Sequence, residues 1–137
     1  MGEYTRRRNV NRGYMKLEVW NEAVDQFKWL CDLLQEIGPV DFKLRSQILN
    51  CAQSISANIA EGYCRRSIKE YLQFLNIALG SSGELMARMI GFKTIGAVSD
   101  RSFEEFDIQH YSIENKLLAL TKSLQAKKRE GSWIEEF

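Results

Sequence analysis

The chain has 137 residues, 45% of them apolar, which suits one domain able to bury a core of its own. Nineteen Lys and Arg oppose 18 Asp and Glu for a net charge of +1, which excludes binding nucleic acid or an anionic membrane through the overall field and leaves only local clusters for that role. Cys31, Cys51 and Cys64 lack CxxC spacing, and no apolar run approaches the ~18 residues of a membrane span, so the expectation is a cytoplasmic protein with buried thiols, no zinc site and no disulfide framework.

Met1 to Gly13 holds Arg6, Arg7, Arg8 and Arg12 with almost no apolar residue. Residues 1–15 therefore read as a flexible basic tail, because such a composition cannot offset the entropy of its own ordering. Residues 16–126 read as the helical domain and 127–137 as a second tail. Leu17, Trp20, Val24, Phe27, Cys31 and Leu34 alternate steps of three and four, which predicts a first helix from about Lys16 to Ile37 with these residues facing the core. Gly38 and Pro39 end it. Val19, Trp29 and Leu33 lie off that stripe and form a second apolar face suited to an oligomer contact.

Asp41 is the expected N-cap of a second helix, whose core positions are Leu44, Ile48, Cys51, Ala52, Ile55 and Ile59 and which ends near Gly62 to Cys64. Ser54, Ala57, Asn58 and Ala60 are small enough for a neighbouring backbone to come close, and Asn58 is a candidate for setting helix register. Ser67-Ile68-Lys69-Glu70 forms a capping box that opens a third helix ending near Gly96. Phe74 and Ile77 belong to a second face of this helix. Gly80, Ser81, Ser82 and Gly83 interrupt it, which predicts close helix approach or a kink.

Ser102-Phe103-Glu104-Glu105 is a second capping box and is expected to open the fourth helix. Phe103, Phe106, His110, Ile113, Leu117, Leu120 and Leu124 follow in a clean heptad. Lys127, Lys128 and Arg129 come next, then Trp133 and Phe137. His110 is the only histidine, so a bound metal or a catalytic triad would rest on it alone, and a core or interface role is the expected one. No catalytic set, cofactor motif or metal-ligand spacing is evident.

Ser54-Ile55-Ser56-Ala57-Asn58-Ile59-Ala60-Glu61-Gly62, then Arg65-Arg66-Ser67, Glu70-Tyr71, Phe74-Leu75, Ile77-Ala78, Gly80-Ser81 and Glu84-Leu85, occur in an order and spacing that resembles the 23S rRNA intervening-sequence proteins. The resemblance runs from about Leu17 to about Leu124. It implies an all-α fold, an antiparallel up-down four-helix bundle, assembled as a ring-like homo-oligomer that is typically a pentamer. Within the motif, Ser54, Asn58, Glu61, Gly62, Ser67, Glu70, Gly80 and Glu84 are its structural residues.

The relatives that the resemblance points to are encoded within intervening sequences of bacterial 23S rRNA genes. A related branch comprises the accessory variability proteins that bind the reverse transcriptase and RNA of diversity-generating retroelements. The implied partners are therefore further copies of the chain, RNA or DNA, and a reverse transcriptase. Arg65, Arg66 and Lys69 crowd one turn, and Arg6, Arg7, Arg8, Arg12, Lys127, Lys128 and Arg129 load the chain ends. Repeated around a symmetry axis, these cations would make a basic rim for nucleic acid or a nucleic-acid-handling protein. The competing reading is a protein-only scaffold; neither reading is an enzyme.

Overall fold

Helix boundaries follow from side chains that take up the backbone groups left unpaired at helix ends. The computed structural model describes residues 10–131, whose regular elements are all helices: a 3₁₀ helix, Val10–Lys16, then α1 (Glu18–Glu36), α2 (Phe42–Tyr63), α3 (Ile68–Thr94) and α4 (Asp100–Glu130). Asp41 accepts from the Lys43 amide at 2.8 Å and Ser67 from the Glu70 amide at 3.4 Å, as their sequence positions predict. The fourth helix begins earlier than expected. Ser99 is its cap and accepts from the Ser102 amide at 3.1 Å, so Ser102 lies inside the first turn. Val98, 2% exposed, anchors the chain immediately before Ser99 and sets the point of entry.

The end of α1 also differs from the glycine-cap expectation. Among the described residues only Gly96 and Gly131 have positive φ. Arg45 instead reaches back from α2, donating to the carbonyls of Val40 at 3.2 Å, Gly38 at 2.9 Å and Leu34. At the end of α3, Gly96 (φ 78°) lets the amides of Ala97 and Val98 meet the Phe92 carbonyl at 2.9 and 3.3 Å.

α1 packs on α2 and α4, α2 lies along α3, and α3 packs on α4. Contacts step backwards on one helix as they step forwards on the next, which makes these neighbours antiparallel: Gln47 to Arg88, Cys51 to Glu84 and Ser54 to Ser81, then Glu18 to Lys116 and Gln26 to His110. Between them Leu30, Ile48, Ile55, Ile59, Leu75, Leu85, Met89, Phe106, Ile113 and Leu117 are fully buried, each contributing about 1.5–3 kcal/mol of transfer free energy. Among the described residues, no helix is long and apolar enough to cross a membrane.

α4 buries Phe106, His110, Ile113, Leu117 and Leu124, following its heptad. α1 does not follow its strongest stripe. Val19, Ala23, Gln26, Leu30, Leu33 and Leu34 are buried, whereas Leu17, Trp20, Val24, Phe27 and Cys31 are only half-buried. The helix is rotated so that Gln26 meets His110, and Val19 and Leu33 belong to the core of the chain instead of an outward face. Leu44 is likewise 40% exposed rather than buried.

The stretch read as a basic tail takes up structure from Val10. Tyr14 packs edge-on against Trp20 and Tyr63 at 5.2 and 6.3 Å, and the Cys64 thiol donates to the Asn11 carbonyl at 3.1 Å. The main chain at Gly13 passes so close to Tyr63 that an added Cβ would lie 2.0 Å from the phenol oxygen. Aromatic anchoring, without apolar periodicity, orders this segment. Arg6, Arg7, Arg8, Trp133 and Phe137 lie outside the described residues.

Candidate nucleic-acid interface and polar seams

The motif residues of α2 and α3 form a polar seam. The Ser54 and Ser81 hydroxyls are 2.7 Å apart, and the Asn58 amide donates to the Ser54 carbonyl at 2.8 Å and to its hydroxyl at 2.9 Å. Asn58 thus acts within its own helix, aiming Ser54 at α3, instead of bridging helices itself. One turn away the Cys51 thiol donates to Glu84 at 2.9 Å, Arg88 donates to Glu84 at 2.8 Å, and Arg88 also reaches Gln47 at 2.8 Å. Burial and the adjacent Glu84 carboxylate push the Cys51 thiol up to about 11, which keeps it protonated and poorly nucleophilic. The thiol and Arg88 together hold Glu84 below the usual carboxylate range.

At the end of the seam, Gly62 is buried against α3, where an added Cβ would lie 2.8 Å from Phe74 Cβ and 3.2 Å from the Tyr71 carbonyl. Close approach occurs here. Gly80 and Gly83 have no atom within 4 Å of such a Cβ, so neither admits a neighbouring helix of the chain.

A second polar group crosses the core. Gln26 and Ser82 are 1% exposed and His110 is fully buried. His110 Nε2 lies 2.8 Å from the Ser82 carbonyl, which can only accept, so that nitrogen carries the proton and Nδ1 accepts from the Gln26 amide at 3.0 Å. Burial lowers the His110 pKa and favours this neutral form, although the Ser82 carbonyl and the charges of Glu114 and Asp107 oppose the shift. Phe106 stacks on the imidazole at 4.9 Å, and Trp29 stacks on Phe106 at 6.5 Å. Both ring nitrogens are occupied. Among the described residues no group of three His, Cys, Asp or Glu is arranged to hold a metal.

The cations converge. Lys128 and Arg129 line a groove with Gln125 and Leu72, and Leu72 is one turn beyond Lys69 on α3. Arg66 precedes the same helix. Arg12 and Lys16 lie on the 3₁₀ helix, which is held against the end of α2 by the contact between Asn11 and Cys64. These side chains therefore gather where α2 and α4 end and where α1 and α3 begin. Arg66, Lys69, Lys127, Lys128 and Arg129 are exposed, apart from what their neighbours cover. Arg65 differs. It pairs with Glu61 at 2.9 Å and Glu70 at 3.9 Å and sits 4.8 Å over the Phe74 ring, so its charge is already engaged in the turn.

Of the expected interface residues, Ile77 is 50% exposed, Phe74 is half-covered by Arg65 and Trp29 is half-buried on Phe106. The more prominent outward stripe is on α4. Ile108, Tyr111 and Leu118 are 67, 66 and 46% exposed and share one helical face. Their spacing was readable beside the heptad, but the buried stripe on the same helix masked it.

Helices packed around one buried core, polar seams where α2 meets α3 and α1 meets α4, and cations gathered at one end define a small all-α protein. The chain belongs to the 23S rRNA-intervening sequence protein family, whose sequence model matches residues 15–119 and so covers α1 to α3 and most of α4. A comparison with curated proteins finds no match.

Proposed function

We propose that the chain is an up-down four-helix-bundle protomer of a ring-like homo-oligomer, without catalytic activity, whose cationic end contacts nucleic-acid phosphates. The observation that carries this reading is the convergence of Arg12, Arg66, Lys69, Lys127, Lys128 and Arg129 at one end of the helices. A nearly neutral chain gains a local phosphate-binding field only by such segregation. Family membership supports a setting close to RNA. The absence of catalysis is inferred from the chemistry on hand: the lone histidine is fully buried with both nitrogens bonded, and the buried Cys51 thiol is held protonated. The half-covered apolar face of α1 and the α4 stripe of Ile108, Tyr111 and Leu118 are suited to contacts between copies.

The test is RNA and DNA binding by the purified protein across a salt series, with mass from light scattering, beside a K69A/K128A/R129A variant. Removing three phosphate contacts should lower the slope of log affinity against log salt by about 2–3. Absence of binding at low salt by an intact assembly would overturn the nucleic-acid reading. That result would favour the protein-only scaffold, for which the exposed α4 stripe is the supporting observation.

A further inference from the structure

Glu22, Asp25, Gln26 and Trp29 share one face of α1, and with Gln109 of α4 they line a cleft of about 310 Å³. Its lining grades inwards. Asp25 is exposed, Glu22, Trp29 and Gln109 are half-buried and Gln26 is 1% exposed, so Gln26 forms the inner end. The Gln26 amide nitrogen donates to His110 Nδ1 at 3.0 Å, and the planar amide therefore turns Oε1 away from the imidazole. Among the described residues no donor reaches that buried oxygen. A buried carbonyl oxygen costs free energy unless a donor meets it, so the inner end of the cleft is built to accept a hydrogen bond from a guest. The walls define the guest's charge. Close by, the Lys116 ammonium already bridges Glu22 and Glu18, the latter at 3.0 Å, and Ser112 donates to Glu22 at 2.6 Å. Asp25, at the mouth, has no ion-pair partner among the described residues. Between mouth and inner end stands the Trp29 indole, backed by Phe106 at 6.5 Å. A single ring makes no aromatic cage for a quaternary ammonium, which also has no N–H to give to Oε1. A primary ammonium has three N–H groups and an alkyl chain that suits the indole wall.

We propose that the cleft between α1 and α4 binds a small primary amine as its ammonium, which donates to Gln26 Oε1 and is charge-paired by Asp25 while its alkyl chain lies along Trp29. The site belongs to the contact of α1 with α4 and is independent of the cationic end and of nucleic-acid binding.

The experiment titrates n-butylammonium chloride into the isotopically labelled full chain at pH 7 and constant ionic strength, following the Trp29 indole and Gln26 side-chain amide resonances. The amine is charged at that pH, since its pKa lies near that of lysine, about 10.4. A saturable shift confined to α1 and α4 around the cleft is expected. Affinity should fall at least about threefold in D25N, which removes the charge partner at the mouth. It should hold in D32N, which removes an exposed α1 carboxylate that pairs with Lys28 outside the cleft. Both positions are exposed, so neither substitution threatens the fold. Tetramethylammonium, with the charge but no N–H, and n-butanol, with the chain but no charge, should each bind at least about tenfold more weakly. No saturable shift would mean that Gln26 Oε1 is met by water alone and overturns the proposal. Equal losses in D25N and D32N, or equal binding of tetramethylammonium, would reduce the effect to diffuse charge attraction and overturn it as well.

Discussion

Replacing Gly62 by alanine tests the close approach of α2 to α3. The new methyl carbon would lie 2.8 Å from Phe74 Cβ, 3.0 Å from Tyr71 Cδ1 and 3.2 Å from the Tyr71 carbonyl. Two of these atoms are fixed by the α3 backbone, so relief requires the helices to separate. Overpacking of this kind costs about 1–3 kcal/mol. Alanine returns at most about 1 kcal/mol of helix propensity, and less this close to the end of α2. The expected net loss is about 1–2 kcal/mol, or a fall in Tm of roughly 4 °C per kcal/mol for a chain of this size. G80A and G83A serve as controls. Neither Cβ has an atom within 4 Å, and both sites are inside α3, so each should gain up to about 1 kcal/mol. Urea and thermal unfolding followed by circular dichroism, at one protein concentration so that assembly is constant, would measure all three. G62A as stable as G80A would show that α2 and α3 are not in tight contact at Gly62. A loss at G80A instead would mean that this face is closed by another copy of the chain.

Gln26→Leu leaves His110 Nδ1 without a partner in the core and should cost about 1–3 kcal/mol, while Q26L/H110L should cost less than the two single losses combined, as read by a double-mutant cycle in urea. Stability should also fall with acidification: His110 has a folded pKa lowered mainly by burial, so below its ordinary value near 6.5 the unfolded chain takes up a proton that the folded chain does not, whereas above that value the residue contributes no pH dependence. The H110L variant should lose this part of the acid sensitivity in unfolding curves collected from pH 7.5 to 5. Arg65→Ala should lower stability by under about 1 kcal/mol, less in high salt because the side chain is partly exposed. K69A/K128A/R129A should change stability by only about 0.5 kcal/mol while weakening nucleic-acid binding, and equal effects of the two variants on binding would count against separate roles.

The four α-helices of the described residues, the Asp41 and Ser67 caps and the buried stripe of α4 were legible because each has a local signal: a capping side chain or an apolar period. The face of α1 was not. Its most apolar stripe contains Leu17, Trp20, Val24 and Phe27, yet the protein buries Ala23 and Gln26 on the adjacent stripe. Hydropathy ranks a glutamine as a surface residue, and the histidine across the core gives its amide nitrogen a buried partner. That pairing spans 84 residues and leaves no trace in local periodicity. The 3₁₀ helix was missed for a related reason, since Tyr14 and Gly13 are anchored on Tyr63, fifty residues away. The cationic clusters were visible as separate runs, but only the packing of α3 on α4 and of the 3₁₀ helix on α2 shows that they share an end. Arg65 was grouped with them by proximity in sequence, and its engagement with Glu61, Glu70 and Phe74 depends on the geometry of the turn.

The seam between α2 and α3 also limits how this protein can move. Helices slide past one another in steps of about one turn, roughly 5.4 Å. In the present register Ser54 meets Ser81, Cys51 meets Glu84 and Gln47 meets Arg88. A one-turn slip in either direction sets the Ser54 hydroxyl against Ile77 or Leu85 and breaks all three contacts together. Shear within the hairpin therefore costs all three contacts at once, whereas rotation of α2 and α3 together about the loops that join them to α1 and α4 keeps them.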